Sequence, residues 1–227
     1  MPDATPETAV RRLADIRAEM AKAGKIARRS ADDIALIAVS KTRNGDEIRP
    51  LLDAGQRVFG ENRVQEAAAK WPLLRAAYPD IALHLIGQLQ SNKADEAVAL
   101  FDCIHSLDRI SLLTALSKAM ARAGKRVPCF IQVNIGAEEQ KGGCAIGELP
   151  DLLEAARAEQ VEIIGLMCIP PANVEPAPYF ALLAELAARH GLSQLSMGMS
   201  DDFATAIMLG ATHVRIGTAL FGPRKAA

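Results

Sequence analysis

The chain has 227 residues, in which 26 lysines and arginines nearly balance 27 aspartates and glutamates, for a formal net charge of −1. A chain without excess positive charge is a poor candidate for binding nucleic acid or an anionic membrane surface. Apolar residues make up 50% of the chain, which is enough for a sizeable core and excludes a disordered or collagen-like protein. The length fits one large domain or two small ones.

The N-terminal segment and the cysteines indicate a cytoplasmic protein. Charges are spread through residues 1–23, and no run of about 18 apolar residues occurs, so we expect neither a signal peptide nor a membrane span. The four cysteines are widely spaced and lack the close pairing typical of a zinc site or a disulfide framework. We expect single buried thiols at these positions, which are Cys103, Cys129, Cys144 and Cys168.

The first predicted element is an amphipathic helix over about residues 6–29, where apolar residues recur at helical spacing. From Ile34 onward, short β-branched runs alternate with stretches rich in Ala, Leu and Glu, a pattern typical of βα units. The predicted strands are residues 34–40, 58–60, 83–86, 103–105, 130–135, 163–167, 194–197 and 213–216. The predicted helices begin close to Asp46, Val64, Lys93, Ile110, Gly147, Pro178 and Asp201.

Eight strands, each followed by a helix, predict an α/β protein with a single (β/α)8 barrel, a TIM barrel. No linker interrupts the series, so we expect residues 1–227 to form one domain, with residues 1–30 as an extra N-terminal helix packed on the barrel. A doubly wound open sheet is the alternative, because the number of strands does not prove that the sheet closes.

The residues that end each apolar run are informative, because the active face of a barrel lies at the carboxyl ends of its strands. Lys41 ends the first run and shares strand parity with Ile37 and Val39, so it points into the mouth if those two residues fill the interior. A lysine without a carboxylate partner in a partly dry pocket has a lowered pKa and can act as a Schiff-base nucleophile. A lysine that extends from the strand end into water is the alternative.

Polar residues at the ends of the other strands are expected on the same rim. They are Glu61, Asn62, His84, His105, Ser106, Gln132, Asn134, Arg215 and Thr218. The last two strands are followed by segments that suit an anion. In the first segment, residues 196–202, Ser200 stands where a helix is predicted to begin. In the second segment, Arg215 supplies a positive charge, Gly217 allows the backbone to come close to a ligand, and Thr218 supplies a hydroxyl.

A lysine after the first strand and a phosphate site after the last two become neighbours when a barrel closes. Pyridoxal 5′-phosphate (PLP) requires this pair, because its aldehyde condenses with an amine and its phosphate needs N–H and O–H donors. The residues alone leave three alternatives open: a PLP carrier, a PLP enzyme such as a racemase, and a phosphosugar-type barrel enzyme with a catalytic lysine.

From about Ala38 to Pro223 the sequence resembles the pyridoxal phosphate homeostasis proteins, the YggS/PROSC family. The stretches that carry the resemblance are AVSKT at 38–42, FGENRVQE at 59–66, HLIGQLQSNK at 84–93, GLM at 165–167, LSMGMSDDF at 195–203 and VRIGTALFG at 214–222. The resemblance implies a barrel similar to that of alanine racemase, PLP held as an internal aldimine, and a role in PLP homeostasis without turnover.

The same resemblance implies roles for individual residues. Lys41 becomes the Schiff-base lysine, Asn62 lies against the cofactor and Arg215 faces the cofactor ring. The phosphate is assigned to Ser200, Gly217 and Thr218. The residues His84, Asn134 and Lys141 receive no role from it.

Several features favour a carrier over a racemase. A racemase of this fold takes a second base from a tyrosine on a partner subunit, whereas this chain ends after the last strand. Of the two tyrosines, Tyr78 is predicted on the opposite face, and Tyr179 is predicted to pack at a helix start. The charge of Arg215 also disfavours a protonated pyridine nitrogen. We expect a monomer that turns over no amino acid and passes PLP to PLP-dependent apoenzymes, with no membrane or nucleic-acid partner.

Overall fold

The computed structural model of the protein describes residues 6–222. Parallel strands within this range form a closed barrel in which each strand pairs with its neighbours in chain order. The strands are β1 (Ala35–Val39), β2 (Val58–Glu61), β3 (Ala82–Leu85), β4 (Cys103–Leu107), β5 (Cys129–Gln132), β6 (Ile163–Met167), β7 (Gln194–Ser196) and β8 (His213–Ile216).

Closure is decided by the first and last strands. β1 and β8 pair in parallel over four positions, from Ala35 opposite His213 to Ala38 opposite Ile216. This pairing confirms the predicted TIM barrel and excludes the open sheet, which would leave β1 and β8 without this contact.

The helices surround the barrel and follow the strands one by one. They are α1 (Pro6–Ile26), α2 (Gly45–Asp53), α3 (Val64–Ala77), α4 (Ala94–Leu100), α5 (Ile110–Ala123), α6 (Leu149–Ala158), α7 (Ala177–Arg189), α8 (Phe203–Met208) and α9 (Thr218–Phe221). The main core lies between sheet and helices, with Leu36 and Ala38 facing it, while Cys103, Phe130 and Met167 form a separate cluster. No helix in residues 6–222 is both long and apolar enough to cross a membrane.

The N-terminal helix completes the outer layer of the barrel. α9 has only four residues, which is too short to cover the seam between β8 and β1. α1 packs against α8, α9 and α2 instead and buries Leu13, Ile16 and Met20. The helix ends three residues earlier than predicted because the chain turns at Arg28, whose φ of 56° is left-handed.

One predicted strand is clearly too long. β5 ends at Gln132 rather than Ile135, because Val133 leaves the ladder for an isolated bridge with Cys144. The Asn134 amide then donates to the Cys144 carbonyl at 2.9 Å. All four cysteines are buried free thiols, as predicted.

Candidate functional site

A cavity of about 420 Å³ opens at the carboxyl ends of the strands, where the segments that follow β1 and β2 meet the segments that follow β7 and β8. It is lined by all six residues singled out from the sequence, together with apolar side chains such as Ile86 and Met199. The six are Lys41, Asn62, Ser200, Arg215, Gly217 and Thr218. Barrel closure therefore brings together residues that are up to 177 positions apart, from Lys41 to Thr218.

Lys41 occupies the position that strand parity predicts. Leu36 and Ala38 belong to the core between sheet and helices. Ile37 and Val39 are also buried but are not part of that core, so they face the barrel interior. Lys41 follows β1 on the same side, and its side chain lines the cavity beside Val39.

The turn after Lys41 is held from outside by α3. Thr42 has a left-handed φ of 64°, a conformation that costs free energy for a non-glycine residue and requires support from its surroundings. Lys70 supplies that support, because its Nζ donates to the carbonyls of Ser40 at 2.8 Å and Arg43 at 2.9 Å. The Thr42 amide donates to Glu66 Oε1 at 2.5 Å. These bonds fix the backbone on both sides of Lys41.

A buried carboxylate anchors the same turn. Glu61 is fully buried at the end of β2, and its Oε1 accepts from Ser40 Oγ at 2.6 Å, Lys70 Nζ at 2.9 Å and Trp71 Nε1 at 3.1 Å. Burial raises the pKa of Glu61, although the charge of Lys70 opposes that shift. Glu61 and Lys70 therefore form a buried ion pair that connects β1, β2 and α3 behind Lys41.

Asn62 presents a polar atom that the protein leaves unbonded. Its Oδ1 is buried and has no hydrogen-bond partner within residues 6–222. A buried acceptor without a partner is costly and calls for an explanation such as a bound ligand. Gly87 allows the backbone of Asn62 to lie this close, because a Cβ at Gly87 would be 2.3 Å from the Asn62 carbonyl oxygen.

Two segments after β7 and β8 meet on the opposite wall. Ser200 Oγ accepts a hydrogen bond from the Ala219 amide at 3.3 Å, which ties the two segments together beside Gly217 and Thr218. The turn before Ser200 requires glycine, because Gly198 has φ of 93° and a Cβ there would be 2.6 Å from Ala206 Cβ. The Met199 amide in this turn is bonded within the protein, because it donates to Asp202 Oδ1 at 2.5 Å.

Arg215 lies beneath the cavity and is only 4% exposed. Its Nη1 donates to Ser196 Oγ at 2.7 Å and its Nη2 donates to the Cys168 carbonyl at 2.8 Å. Burial lowers the pKa of Arg215, but a guanidinium in a protein stays charged. Both partners are neutral, so the charge of Arg215 is held in place without a direct carboxylate contact among the described residues.

Sequence reasoning placed two histidines on the rim, and the structure corrects this. His84 and His105 lie inside the barrel, within β3 and β4 rather than at their ends, and β4 continues two residues further than predicted, to Leu107. His105 is hydrogen bonded through Nε2 to His84 Nδ1 at 2.9 Å and through Nδ1 to Ser196 Oγ at 2.8 Å. Strand parity was the signal that could have located them.

Burial keeps these imidazoles neutral. It lowers the pKa of His84 to about 4 and that of His213, which lies nearby on β8, to about 3. It also lowers the pKa of His105 well below the usual value, and the neighbouring His84, His213 and Arg215 act in the same direction. The barrel interior thus holds a polar, uncharged cluster behind Arg215.

Comparison with known proteins places this architecture in a family. Residues 13–225 match the family described as alanine racemase, N-terminal domain. A pyridoxal phosphate homeostasis protein from Pseudomonas aeruginosa is 40% identical over 225 residues, which cover 96% of each chain. The chain belongs to the pyridoxal phosphate homeostasis protein family. The resemblance stated from the sequence motifs is confirmed.

Solved structures agree with this membership. PipY from Synechococcus elongatus, another protein of this fold, was solved with PLP bound and is 38% identical to the chain, with a TM-score of 0.81 over 94% of this chain and all of PipY (100%). A histidine racemase from Leuconostoc mesenteroides is 16% identical with a TM-score of 0.68, covering 96% of this chain and 58% of the racemase. At that identity the likeness to the racemase shows the shared barrel fold alone.

Asn134 and Lys141, to which the family resemblance gave no role, stabilise the loop after β5. Asn134 bonds Glu138 twice, accepting from its amide at 3.1 Å and donating to its carbonyl at 2.8 Å. Lys141 Nζ donates to the Pro170 carbonyl at 2.9 Å and pairs with the Glu138 carboxylate at 2.5 Å. These contacts give both side chains a structural role, and neither side chain lines the cavity.

The two tyrosines of the chain lie away from the cavity lining. Tyr78 donates to Asp53 Oδ1 at 2.5 Å, which joins the end of α3 to the end of α2. Tyr179 is half-buried and packs against the core at the start of α7, as predicted. The residues with polar side chains that line the cavity are Lys41, Asn62, Ser200, Asp201, Arg215 and Thr218.

Proposed function

We propose that the cavity binds PLP, with Lys41 as the residue that attaches it. When bound, the cofactor supplies an aldehyde that condenses with a primary amine with loss of water. The observation that carries the proposal is that Lys41, Asn62, Ser200 and Thr218 line one cavity, and that Asn62 has a buried oxygen, Oδ1, without a hydrogen-bond partner among the described residues. Its volume of about 420 Å³ is in the usual range for a small-molecule site.

The chain's own residues suit the parts of this cofactor. The hydroxyls of Ser200 and Thr218 can donate to a phosphate, and Gly217 between the two segments leaves the backbone open to close approach. Asn62 Oδ1 can accept from a hydroxyl or a protonated nitrogen on the ligand. Arg215 brings a permanent positive charge to the cavity floor, where it disfavours protonation of a ring nitrogen placed against it.

We propose further that the protein holds and releases PLP in intracellular PLP homeostasis and carries out no turnover. The positive charge of Arg215 disfavours a protonated pyridine nitrogen, and an unprotonated ring is a weaker electron sink for carbanion chemistry. PLP-dependent apoenzymes are the proposed recipients, and the cytoplasm is the proposed compartment, where buried free thiols such as Cys103 are the norm. Residues 1–227 are proposed to act as one domain. A racemase-like enzyme is the second candidate, favoured only by the shared barrel.

The first test is a titration of the purified protein with PLP. We expect a visible absorption band that saturates at one equivalent, because an amine adduct of PLP absorbs visible light and a phosphosugar enzyme contains no such group. A protein that stays colourless and leaves PLP fully dialysable would contradict the proposal.

The second test addresses the phosphate donors. Replacing Ser200 and Thr218 by alanine is expected to weaken retention of PLP by about 0.5 to 3 kcal/mol for each lost donor. The visible band should still form, but dialysis should remove it faster. Ser193→Ala is the matched control, because Ser193 is exposed at the opposite end of β7. Equal affinity of the double variant and the control would place the phosphate elsewhere.

The third test addresses the absence of turnover. Exchange of the α-hydrogen of L-alanine in deuterated water should stay near background at high protein concentration, since neither tyrosine lines the cavity as a second base.

Light scattering at that concentration should give a mass near 24.2 kDa, that of a monomer. Fast exchange that Lys41→Ala abolishes, together with the mass of a dimer, would support the racemase-like alternative.

A further inference from the structure

We propose that Ser196, His105 and His84 form a directed hydrogen-bond relay across the barrel interior, and that this relay positions Arg215 against the ring of the bound cofactor. This inference rests on the proposed function, because it takes PLP as the ligand that Arg215 faces. It extends that function to residues outside the cavity lining that position Arg215. It makes Ser196 the pivotal residue, since Ser196 is hydrogen bonded both to Arg215 and to His105.

The relay crosses the full width of the barrel. In a closed barrel with strands in chain order, β7 and β8 lie opposite β3 and β4. Arg215 on β8 bonds Ser196 on β7 at 2.7 Å, Ser196 bonds His105 on β4 at 2.8 Å, and His105 bonds His84 on β3 at 2.9 Å. All four side chains are at least nine-tenths buried. This polar chain occupies space that apolar side chains fill in an ordinary barrel layer.

Of the possible bond directions in this relay, one gives the hydroxyl hydrogen of Ser196 an acceptor among the described residues. A guanidinium can only donate, so Ser196 Oγ accepts from Arg215. The Ser196 hydroxyl then has its own hydrogen to donate, and His105 Nδ1 is the remaining acceptor that bonds it among the described residues. His105 therefore carries its hydrogen on Nε2 and donates it to His84 Nδ1, which leaves the hydrogen of His84 on Nε2.

Rigid packing holds the middle of the relay. The ring of His105 stacks on Phe130 with centroids 4.2 Å apart and planes inclined by 25°. The second terminal nitrogen of Arg215 is fixed by the Cys168 carbonyl. Both ends of the guanidinium fork are thus held, and the plane of Arg215 has little freedom to rotate.

A neutral relay explains how Arg215 can be fixed while its charge stays effective. A carboxylate partner would hold the guanidinium equally well, but it would cancel much of the charge at the cavity floor. Hydroxyl, imidazole and carbonyl groups hold it by geometry alone. Arg215 therefore meets the ligand in a fixed orientation, and the acidic group that acts on its charge through space is Asp202, which is not hydrogen bonded to it.

The test begins with the protein free of cofactor. Long-range 1H–15N spectra of histidine-labelled protein should show His105 and His84 neutral and protonated on Nε2 at neutral pH. In Ser196→Ala the Nδ1 of His105 loses its donor, so its spectrum should change to a mixture of the two tautomers. Ser106→Ala is the matched control, because Ser106 Oγ is buried without a hydrogen-bond partner among the described residues and lies next to His105 in the chain.

The second arm uses PLP-loaded protein. Ser196→Ala should weaken PLP binding by about three- to tenfold, within the effect of losing one hydrogen bond. The pH midpoint of the visible band should rise by about half a unit, because the positive charge moves away from the ligand. Lys41 should still be the residue that borohydride fixes to the cofactor, which keeps the relay distinct from the attachment site.

Two results would overturn the inference. One is a wild-type His105 that carries its hydrogen on Nδ1, which reverses the relay. The other is a Ser196→Ala variant that folds and binds PLP with the affinity and pH midpoint of Ser106→Ala. The histidine spectra need no cofactor, so a failure of PLP binding by the wild-type protein would refute the proposed function while leaving the direction of the relay as measured.

Discussion

Replacing Lys70 by methionine is expected to lower the free energy of unfolding by about 3–5 kcal/mol, the usual cost of removing one partner from a buried ion pair. Lys70 is 12% exposed and its partner Glu61 is fully buried. Without Lys70, the Glu61 carboxylate keeps only the donors of Ser40 and Trp71. The carbonyls of Ser40 and Arg43 also lose their donor, so the turn that carries Lys41 loosens and PLP retention should fall as well.

The pH dependence of that loss identifies its cause. Removing Lys70 raises the pKa of Glu61 further, so the native state of the variant holds a proton that the unfolded state releases as pH rises. The destabilisation should therefore be larger at pH 8 than at pH 5, and adding Glu61→Gln should recover part of it. Lys93→Met is the control, because the exposed pair of Lys93 with Glu96 contributes below about 1 kcal/mol. A loss that is equal at both pH values would argue against the buried pair as its origin.

Mild acid is expected to destabilise the protein through its interior histidines. The pKa of His84 is about 4 and that of His213 about 3 in the folded protein, against an ordinary value near 6.5 for an unfolded chain. As pH falls below 6.5 the unfolded chain takes up protons that the folded barrel refuses, so stability is lost. Between pH 6.5 and 5 each of the two contributes a loss of about 2 kcal/mol. His105 acts in the same direction, whereas the raised pKa of Glu61 acts in the opposite one.

Urea unfolding at a series of pH values measures this effect. His213→Gln should flatten the decline in unfolding free energy between pH 6.5 and 5 by about 2 kcal/mol, since that side chain no longer titrates in the unfolded chain. His190 lies at the end of α7 on the surface of the barrel, and His190→Gln should leave the decline as it is. An unchanged slope in His213→Gln would show that other groups cause the acid loss.

Much of the fold follows from local pattern. The alternation of β-branched runs with Ala- and Leu-rich stretches predicted every strand of the barrel, and β6 and β8 have the predicted bounds. The pattern could not predict closure, because pairing between β1 and β8 depends on the twist and tilt of the whole sheet. The end of β5 was missed for a similar reason, since the bridge from Val133 to Cys144 joins segments whose meeting no local periodicity encodes.

The sequence allowed prediction of the site residues that lie in or directly after a strand. It did not allow prediction of residues on other elements that hold those site residues in place. Lys41 and Arg215 were identified by their places after or within apolar runs, and both line the cavity. The contribution of Lys70 was hidden, because only the folding of α3 against the end of β1 brings its amine to the carbonyl of Ser40. His105 was assigned to the rim because β4 was predicted two residues too short.

The central claim, that Lys41 carries the cofactor, is tested most directly by trapping. The protein is loaded with PLP, reduced with borohydride, digested and mapped by peptide mass spectrometry. We expect a single modified peptide with the adduct on Lys41, and neither the adduct nor the visible band in Lys41→Ala. An adduct on Lys93 or Lys141, with the visible band retained in Lys41→Ala, would contradict the account.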